Sequence, residues 1–560
     1  MYGTRVLVSK KNDCKNCYKC IRYCPIKAIK FSDNQASIVE DECILCGKCY
    51  TVCPQSAKEI RNDVDKVKEM LAKEEDVFAS IAPSFVANYE NMNITAAENA
   101  LKKLGFKGAE ETAVGATIVK KEYDKMVNEG KKKIIISSCC HSVNTLIQKY
   151  YPEALPYLAD IKSPMQAHCE KIKREHEGAK TVFIGPCISK KDEADKYPDI
   201  VDAVLTFKEL DEWLAEEEIE LCECEDKVAG GRARLFPTTT GILKSMDCDS
   251  KDYTYIAIDG IENCIAALED IKNGEMKNCF IEMSACAGSC INGPVMSRNS
   301  EKLVKNTLAV NRYAPKDDFD VASPSTASLK KNISFVGVRK NMPGSKAIEE
   351  ILHRMGKTRP EQELNCGSCG YDTCREKAVA VLQGKANLEM CMPYLKDKAE
   401  SFSDTIIGNT PNGILVLNED FEVQQINAAA KSIMNIKSSD DVLGNPVVRI
   451  LDPSKFMQVL SSGRDIRNEK VYLADYNKYV EETIIYDKSY HIIIGIMRDV
   501  TESELEHEKR IEDAHNTVEI TDKVIDKQMR VVQEIASLLG ETTAETKIAL
   551  TKLKENLTNE

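Results

Sequence analysis

Residues 278–290 read NCFIEMSACAGSC, a short apolar run that closes on small residues and cysteine. A run of this length, bounded by polar and small residues, reads as a buried strand rather than a helix. Three others share its form: DVFASIAPS (76–84), KKIIISSCC (132–140) and KTVFIGPC (180–187). Helical stretches such as 118–129 and 140–150 lie between them, so the set reads as parallel α/β structure. In open α/β sheets ligands sit beyond the carboxyl ends of the strands. Three of the runs end at Cys140, Cys187 and Cys286, and Cys290 follows shortly after the last. Four thiolates from distant parts of the chain can therefore converge on one cleft, although buried free cysteines, which behave as small hydrophobes, leave the same pattern.

The 560 residues exceed one core and divide into three to five domains at about 150 residues each. Hydrophobic residues at 43% and charged residues at 29% are ordinary for a folded globular chain. No apolar run approaches the roughly 20 residues that span a bilayer, and the start, MYGTRVLVSKKNDCKNC, lacks the apolar core of a secretory signal. The expected location is the cytoplasm, with no membrane partner. A net charge of −13 repels a phosphate backbone, which counts against nucleic acid. The 23 cysteines decide the class, because a reducing cytosol disfavours disulfides and leaves metal as their use. With seven His in the chain, thiolate-bound iron-sulfur chemistry fits better than histidine sites.

Cys14, Cys17, Cys20 and Cys24 precede Pro25, and the same spacing recurs as Cys43, Cys46, Cys49 and Cys53 before Pro54. This is the bacterial ferredoxin run, in which three thiolates wrap one cube and the fourth reaches to the other. The expected sets are Cys14, Cys17, Cys20, Cys53 and Cys43, Cys46, Cys49, Cys24. Zinc on the CxxC pairs is the poorer reading, since it needs no third and fourth cysteine at these offsets.

The segments SSCCHS (137–142), GPCISKKDE (185–193) and EMSACAGSC (282–290), in that order, resemble the three signatures of the iron-only (FeFe) hydrogenase catalytic domain. The resemblance covers roughly 75–300 and extends to APS (82–84), YPEAL (151–155) and SPM (163–165). It implies that Cys140, Cys187, Cys286 and Cys290 hold a 4Fe-4S cube. Cys290 would bridge to a diiron unit carrying CO, cyanide and an azadithiolate. By the same resemblance Cys139 is the first proton carrier, and Lys190 donates to a cyanide ligand. Ser84 and the backbone near Pro83 and Pro164 serve the other cyanide, beside Ser163. A thiol with an ordinary pKa of about 8.5 exchanges protons near neutral pH.

The departures are informative. Ser284 stands where the family commonly has Met, Gly185 replaces the Met of the second motif, and INGPVM replaces the glycine-rich tail. Ala159 stands in place of the serine of the usual proton relay, which implies slow turnover and a different route. Glu282, with Cys169 or Glu122, is the candidate.

In the second half, CGSCGYDTC supplies Cys366, Cys369 and Cys374, and CMP supplies Cys391. The pattern resembles a small helical 4Fe-4S module of corrinoid and electron-transfer proteins, with zinc as the rival. Cys222, Cys224, Cys248, Cys264 and Cys279 show no ligand pattern. Residues 409–436 (NTPNGILVLNEDFEVQQINAAAKSIMNI) and the strand HIIIGIMRDVTE (491–502) resemble the opening and close of a PAS domain. His491 reads as a solvent-facing strand residue rather than a haem ligand. Residues 503–560 hold neither Pro nor Cys and show helical apolar spacing. They predict a long helix, a turn near Gly540 and a second helix that dimerises. His507 and His515 lack a phosphoacceptor context.

The expected fold class is multidomain α/β. It comprises a ferredoxin-like two-cluster domain (1–60), a two-lobed α/β hydrogenase domain (61–355), a small helical 4Fe-4S module (356–397), an α+β PAS domain (398–502) and a helical coiled-coil segment (503–560). Four 4Fe-4S clusters and the diiron unit are the expected cofactors. The expected function is slow reversible conversion of H2 to protons and electrons, used for hydrogen or redox sensing. Partners are a ferredoxin or other redox protein, a second copy paired through the PAS and helical segment, and a separately encoded signalling protein. The alternative is an iron-sulfur assembly-factor-like or electron-transfer protein without the diiron unit, in which Cys139, Lys190 and the APS and SPM segments would have no purpose.

Overall fold

The computed structural model describes residues 6–10, 13–89, 92–226, 228, 230–248, 250–296, 302–338 and 342–557. It divides into two compact units, 1–395 and 396–560.

The first unit is built on two separate parallel sheets. One has four strands in the order Gly108–Glu111, Val77–Ile81, Lys180–Gly185, Ala203–Thr206. The other has three, in the order Thr254–Asp259, Cys279–Ser284, Ile134–Ile136. The four strands expected from sequence are all present, divided two and two between the sheets. Val77–Ile81, Ile134–Ile136 and Cys279–Ser284 are buried along their whole length. Strands buried on both faces read as continuous apolar runs, which is why these were legible. The Gly108–Glu111 strand, GAEE, carries no such run and escaped a sequence reading.

The helix Ala113–Glu129 lies against the helix Pro164–Glu175. Gly115 permits the approach, since a Cβ there would stand 2.2 Å from the Pro164 carbonyl oxygen. The second helix begins with Pro164 at its first turn and Ser163 as N-cap in a capping box with Gln166. The SPM segment is thus a helix start, fixed by local rules.

The first sixty residues form two short antiparallel pairs, Ile29–Ser32 with Gln35–Ile38 and Leu7–Ser9 with Lys58–Ile60. Each cysteine run carries one four-residue helix, Lys19–Arg22 or Lys48–Thr51. Near the end of the unit, the helix Cys374–Leu382 packs on Ser345–Arg354 through Ile351, Leu352, Met355 and Ala378. This module docks on the ferredoxin-like domain. The Phe31 N–H donates to the Lys385 carbonyl at 2.7 Å, and Arg22 Nη2 to the Ser368 carbonyl at 3.1 Å. Lys27 Nζ donates to the Gly370 carbonyl at 3.0 Å.

The second unit holds a five-stranded antiparallel sheet in the order Val423–Ile426, Gly413–Asn418, Ile492–Asp499, Lys478–Asp487, Ile466–Leu473. Alternate residues such as Leu415, Leu417, Val480, Ile484, Ile493 and Met497 build its core with Phe456. His491 lies exposed in the turn before its strand, with φ +55° and Nδ1 3.0 Å from Glu419 Oε1.

Thr501–Leu557 is one unbroken helix of 57 residues, so the expected turn at Gly540 is not there. Glycine in a helix interior costs about 1 kcal/mol relative to alanine, too little to stop a helix flanked by good formers. Among the described residues, no helix is long and apolar enough to cross a membrane.

Candidate active site and cluster cradles

The two sheets present the carboxyl ends of their strands to one cleft. Ile134–Ile136 runs into Cys139 and Cys140, Lys180–Gly185 into Cys187, and Cys279–Ser284 into Cys286 and Cys290. Burial first, and then the nearby thiols of Cys187, Cys290 and Cys140, push Cys286 well above its ordinary pKa. Burial, Cys187 and Cys140 do the same to Cys290. Cys187 and Cys140 act on both Cys286 and Cys290, so the four stand around one space. Cys290 is enclosed by protein yet keeps accessible surface, as a side chain lining an interior space does. Among the described residues no three His, Cys, Asp or Glu side chains converge as on a single metal ion. A cube takes one thiolate per iron corner, so its ligands ring a volume rather than a point.

Polar groups crowd the same cleft. Lys190 Nζ donates to the Cys139 carbonyl at 3.2 Å and to Glu193 Oε2 at 2.5 Å. Glu193, fully buried, also accepts from Lys331 at 2.6 Å. Burial alone would lower the Lys190 pKa, and Glu193 overrides it, so the ammonium is held charged. Ser84, on the loop after Val77–Ile81, and Ser284, at the end of Cys279–Ser284, are buried, and among the described residues their hydroxyls have no partner. A buried hydroxyl without a partner costs about 1–3 kcal/mol, so each is suited to receive a polar group. The residues present therefore fit a cube joined to a diiron unit with polar ligands. Pro83 precedes Ser84 on the same loop. Ser163 is placed otherwise: its hydroxyl accepts from Gln166 N at 3.4 Å as a helix cap, with Pro164 next in the helix.

Cys139 has a partner that sequence reasoning missed. The Tyr123 hydroxyl lies 3.2 Å from its Sγ and accepts the Ser138 N–H at 2.9 Å. Burial pushes the Cys139 thiol up to about 12, with Tyr123 and Lys190 lowering it and Glu282 raising it. Glu282 is therefore a neighbour in charge. It is buried, its Oε2 accepts from the N–H groups of Ile242 at 3.0 Å and Leu243 at 3.1 Å, and burial raises it to about 7 against those bonds. Glu122, also buried, pairs with Lys125 on the same helix. Cys169 packs in the core of the four-stranded sheet with Val182 and Phe183, whereas Cys139 packs with Tyr123 and Phe280 in the core of the other lobe. Ala159 is fully buried in that second core.

The ferredoxin-like domain brings its cysteines together across the repeats. Burial, then Lys58 opposing it and Cys14, Cys17 and Cys53 adding to it, set the Cys20 thiol at about 11. Burial with Cys46, Cys43 and Cys24 pushes Cys49 up, again with Lys58 opposing. Lys58 is buried, and its Nζ donates to Ser9 Oγ at 2.6 Å and the Ala36 carbonyl at 2.7 Å. The second repeat abuts the catalytic cleft. A Cβ on Gly47, at φ +76°, would lie 2.6 Å from Pro294 Cβ in the INGPVM tail, and Cys46 adds to the rise of Cys286. Near the end of the unit Cys366, Cys369, Cys374 and Cys391 line one cavity, together with Lys357 and Lys377.

Comparison with known proteins follows this geometry. The family "Iron only hydrogenase large subunit, C-terminal domain" matches residues 75–294, a 4Fe-4S dicluster domain matches 7–54, a putative Fe-S cluster matches 362–393 and a PAS domain matches 411–502. Iron hydrogenase 1 of Clostridium pasteurianum is 26% identical over 438 residues, 62% of this chain and 75% of that protein. The periplasmic Fe hydrogenase large subunit of Nitratidesulfovibrio vulgaris is 27% identical over 271 residues, 37% of this chain and 64% of that protein. An FeFe-hydrogenase structure from Chlamydomonas reinhardtii superposes with a TM-score of 0.39 at 17% identity, covering 50% of this chain and 100% of that one. The chain is an iron-only hydrogenase-like protein that carries iron-sulfur cluster domains and a PAS domain.

Proposed function

We propose that the chain interconverts H2 with protons and electrons at low turnover, and that this chemistry reports hydrogen or redox state through the PAS domain and the helix after it. The gathering of Cys140, Cys187, Cys286 and Cys290 in one cleft beside Cys139 and Lys190 carries this reading. When bound, a diiron unit with CO, cyanide and azadithiolate ligands would supply the metal that takes hydride and the amine that takes the first proton. The four cysteines would hold the cube, and Cys290 would also serve the diiron unit. Lys190 is held charged by Glu193 and offers a donor to a cyanide; the unpartnered hydroxyls of Ser84 and Ser284 offer two more. Such bonds orient and tune a metal group.

Cys139 takes the proton from the cleft. Its hydrogen bond to Tyr123 fixes the thiol, and Glu282, with a pKa near 7, is suited to exchange protons at neutral pH. With Ala159 in the second core, the usual serine step is missing, which supports slow turnover. Cys24, Cys43, Cys46 and Cys49 would hold the ferredoxin-type cube nearest the cleft, since Cys46 neighbours Cys286, and that cube would supply the electron exit. The protein works in the cytoplasm with a ferredoxin or similar redox partner. It pairs with a second copy through the PAS and helical segment and signals to a separate protein.

Infrared spectroscopy after maturation with the diiron cofactor tests the chemistry. CO and cyanide stretching bands are expected. Their absence while every cube is present leaves a cube-only electron-transfer protein and ends this reading. For the sensing role, amide exchange in 396–557 should change on exposure of the matured protein to H2.

A further inference from the structure

Lys377 and Lys357 are both buried, at 1% and 6% exposure. Lys377 Nζ donates to the Asn387 carbonyl at 2.5 Å, and Lys357 Nζ to the Gln362 carbonyl at 2.8 Å. Among the described residues neither makes an ion pair with a carboxylate, although a buried ammonium without a counter-charge is strongly destabilising. The charges they do face are thiols. Both line the cavity of the four C-terminal cysteines.

A third group looks into the same place. Tyr371 is 3% exposed and, among the described residues, its hydroxyl has no partner. Tyr371 lines the cavity of the four C-terminal cysteines and packs in the same core as Cys20 and Cys24 of the ferredoxin-like domain, which puts the ring between the two thiol sets.

The ferredoxin-like pair is compensated differently. One buried lysine, Lys58, serves both of its thiol sets. Of the other nearby lysines, Lys27 pairs with Asp372 and Lys48 with Glu262, while Lys149, only half-buried, donates to the Cys43 carbonyl at 2.8 Å. Two buried, carboxylate-free ammonium groups on one set of four thiols, against one shared by two sets, is a large difference in local charge. The potential of an iron-sulfur cube rises with nearby positive charge and with burial of that charge.

We propose that the cube of Cys366, Cys369, Cys374 and Cys391 is the electron-accepting end of the relay, its potential set above those of the ferredoxin-type cubes by Lys357 and Lys377, and that it exchanges electrons with the Cys24 cube across Tyr371. This rests on the reading that these four cysteines hold a cube. One electron moves: the ferredoxin-type cube is oxidised by one step, the C-terminal cube is reduced by one, and no bond forms or breaks. The acceptor then lies directly before the helix Met392–Asn409.

The test is an EPR-monitored redox titration of the full chain, loaded with iron and sulfide under anaerobic conditions and reduced with dithionite. The first signal to appear as the potential falls is expected to be the one missing from Cys391→Ala. Lys357→Met and Lys377→Met are each expected to lower that midpoint by at least 59 mV, tenfold in a one-electron equilibrium, and to leave the other midpoints in place. Lys377→Arg should keep it. If Lys377→Met does not retain the module's iron, Lys357→Met and Lys377→Arg decide the matter by the same criteria. A first-reduced cube that persists in Cys391→Ala, or a midpoint unmoved by removal of either charge, overturns the proposal. Equal iron and sulfide in Cys391→Ala and the unaltered chain would instead overturn the cube reading itself, and the two failures are told apart by that count.

Discussion

The ferredoxin-like domain and the catalytic cleft both gather thiols, but they do so by opposite means. In the first, all eight cysteines lie within residues 14–53 and two short helices set their spacing. In the second, Cys140, Cys187, Cys286 and Cys290 come from the strand ends of two separate sheets, so the site exists only if both lobes fold and meet. A local cradle is written in spacing. A cleft built by tertiary structure is written only in the strands that end at it.

That contrast can be broken most sharply at Cys187, the one ligand candidate contributed by the four-stranded sheet. Cys187→Ala should remove the iron of the catalytic cube and abolish hydrogen conversion, while the ferredoxin-type EPR signals persist. Loss of both sets together would show that the two cradles are not independent. A smaller effect is expected at Tyr123. Its bond to the Cys139 thiol is worth about 0.5–1.5 kcal/mol, so Tyr123→Phe should slow hydrogen oxidation up to about tenfold with unchanged iron content and infrared bands. A rate equal to the parent would remove Tyr123 from the proton path.

The smallest effect concerns Glu282 and pH. Burial raises its folded pKa to about 7 from an ordinary 4.5, so the folded state binds more protons than the unfolded state between those values. Stability is therefore expected to fall as pH rises from about 4.5 to 7, by at most about 3 kcal/mol from this group. Glu282→Gln should flatten that slope in denaturant titrations made at several pH values. An unchanged slope would mean that the carboxyl is ionised throughout.

What was legible followed from local rules. The doubled cysteine spacing, the buried apolar strands and the helical periodicity after residue 503 each reflect interactions within a few residues. Gly540 was misread because a glycine signals a stop only where the flanking sequence fails to hold the helix. Ser163 stands in a recognisable motif, yet its hydroxyl serves as a helix cap. Tyr123, Lys58, Lys357 and Lys377 carried no signal at all. A tyrosine beside a glutamate on a helix, or a lysine among many lysines, shows its importance only when folding buries it against a thiol far away in sequence. Cys169 failed in the other direction: it is a plausible proton carrier in the sequence, but it folds into the opposite core.

Lys58 has one more consequence. The two cysteine repeats are twins in spacing, and both face one buried ammonium. When both hold cubes, Lys58 would attract an electron on either one, and an electron on one cube would repel a second on the other. Filling would then be anticooperative through that repulsion, while one side chain would set the level of both centres together.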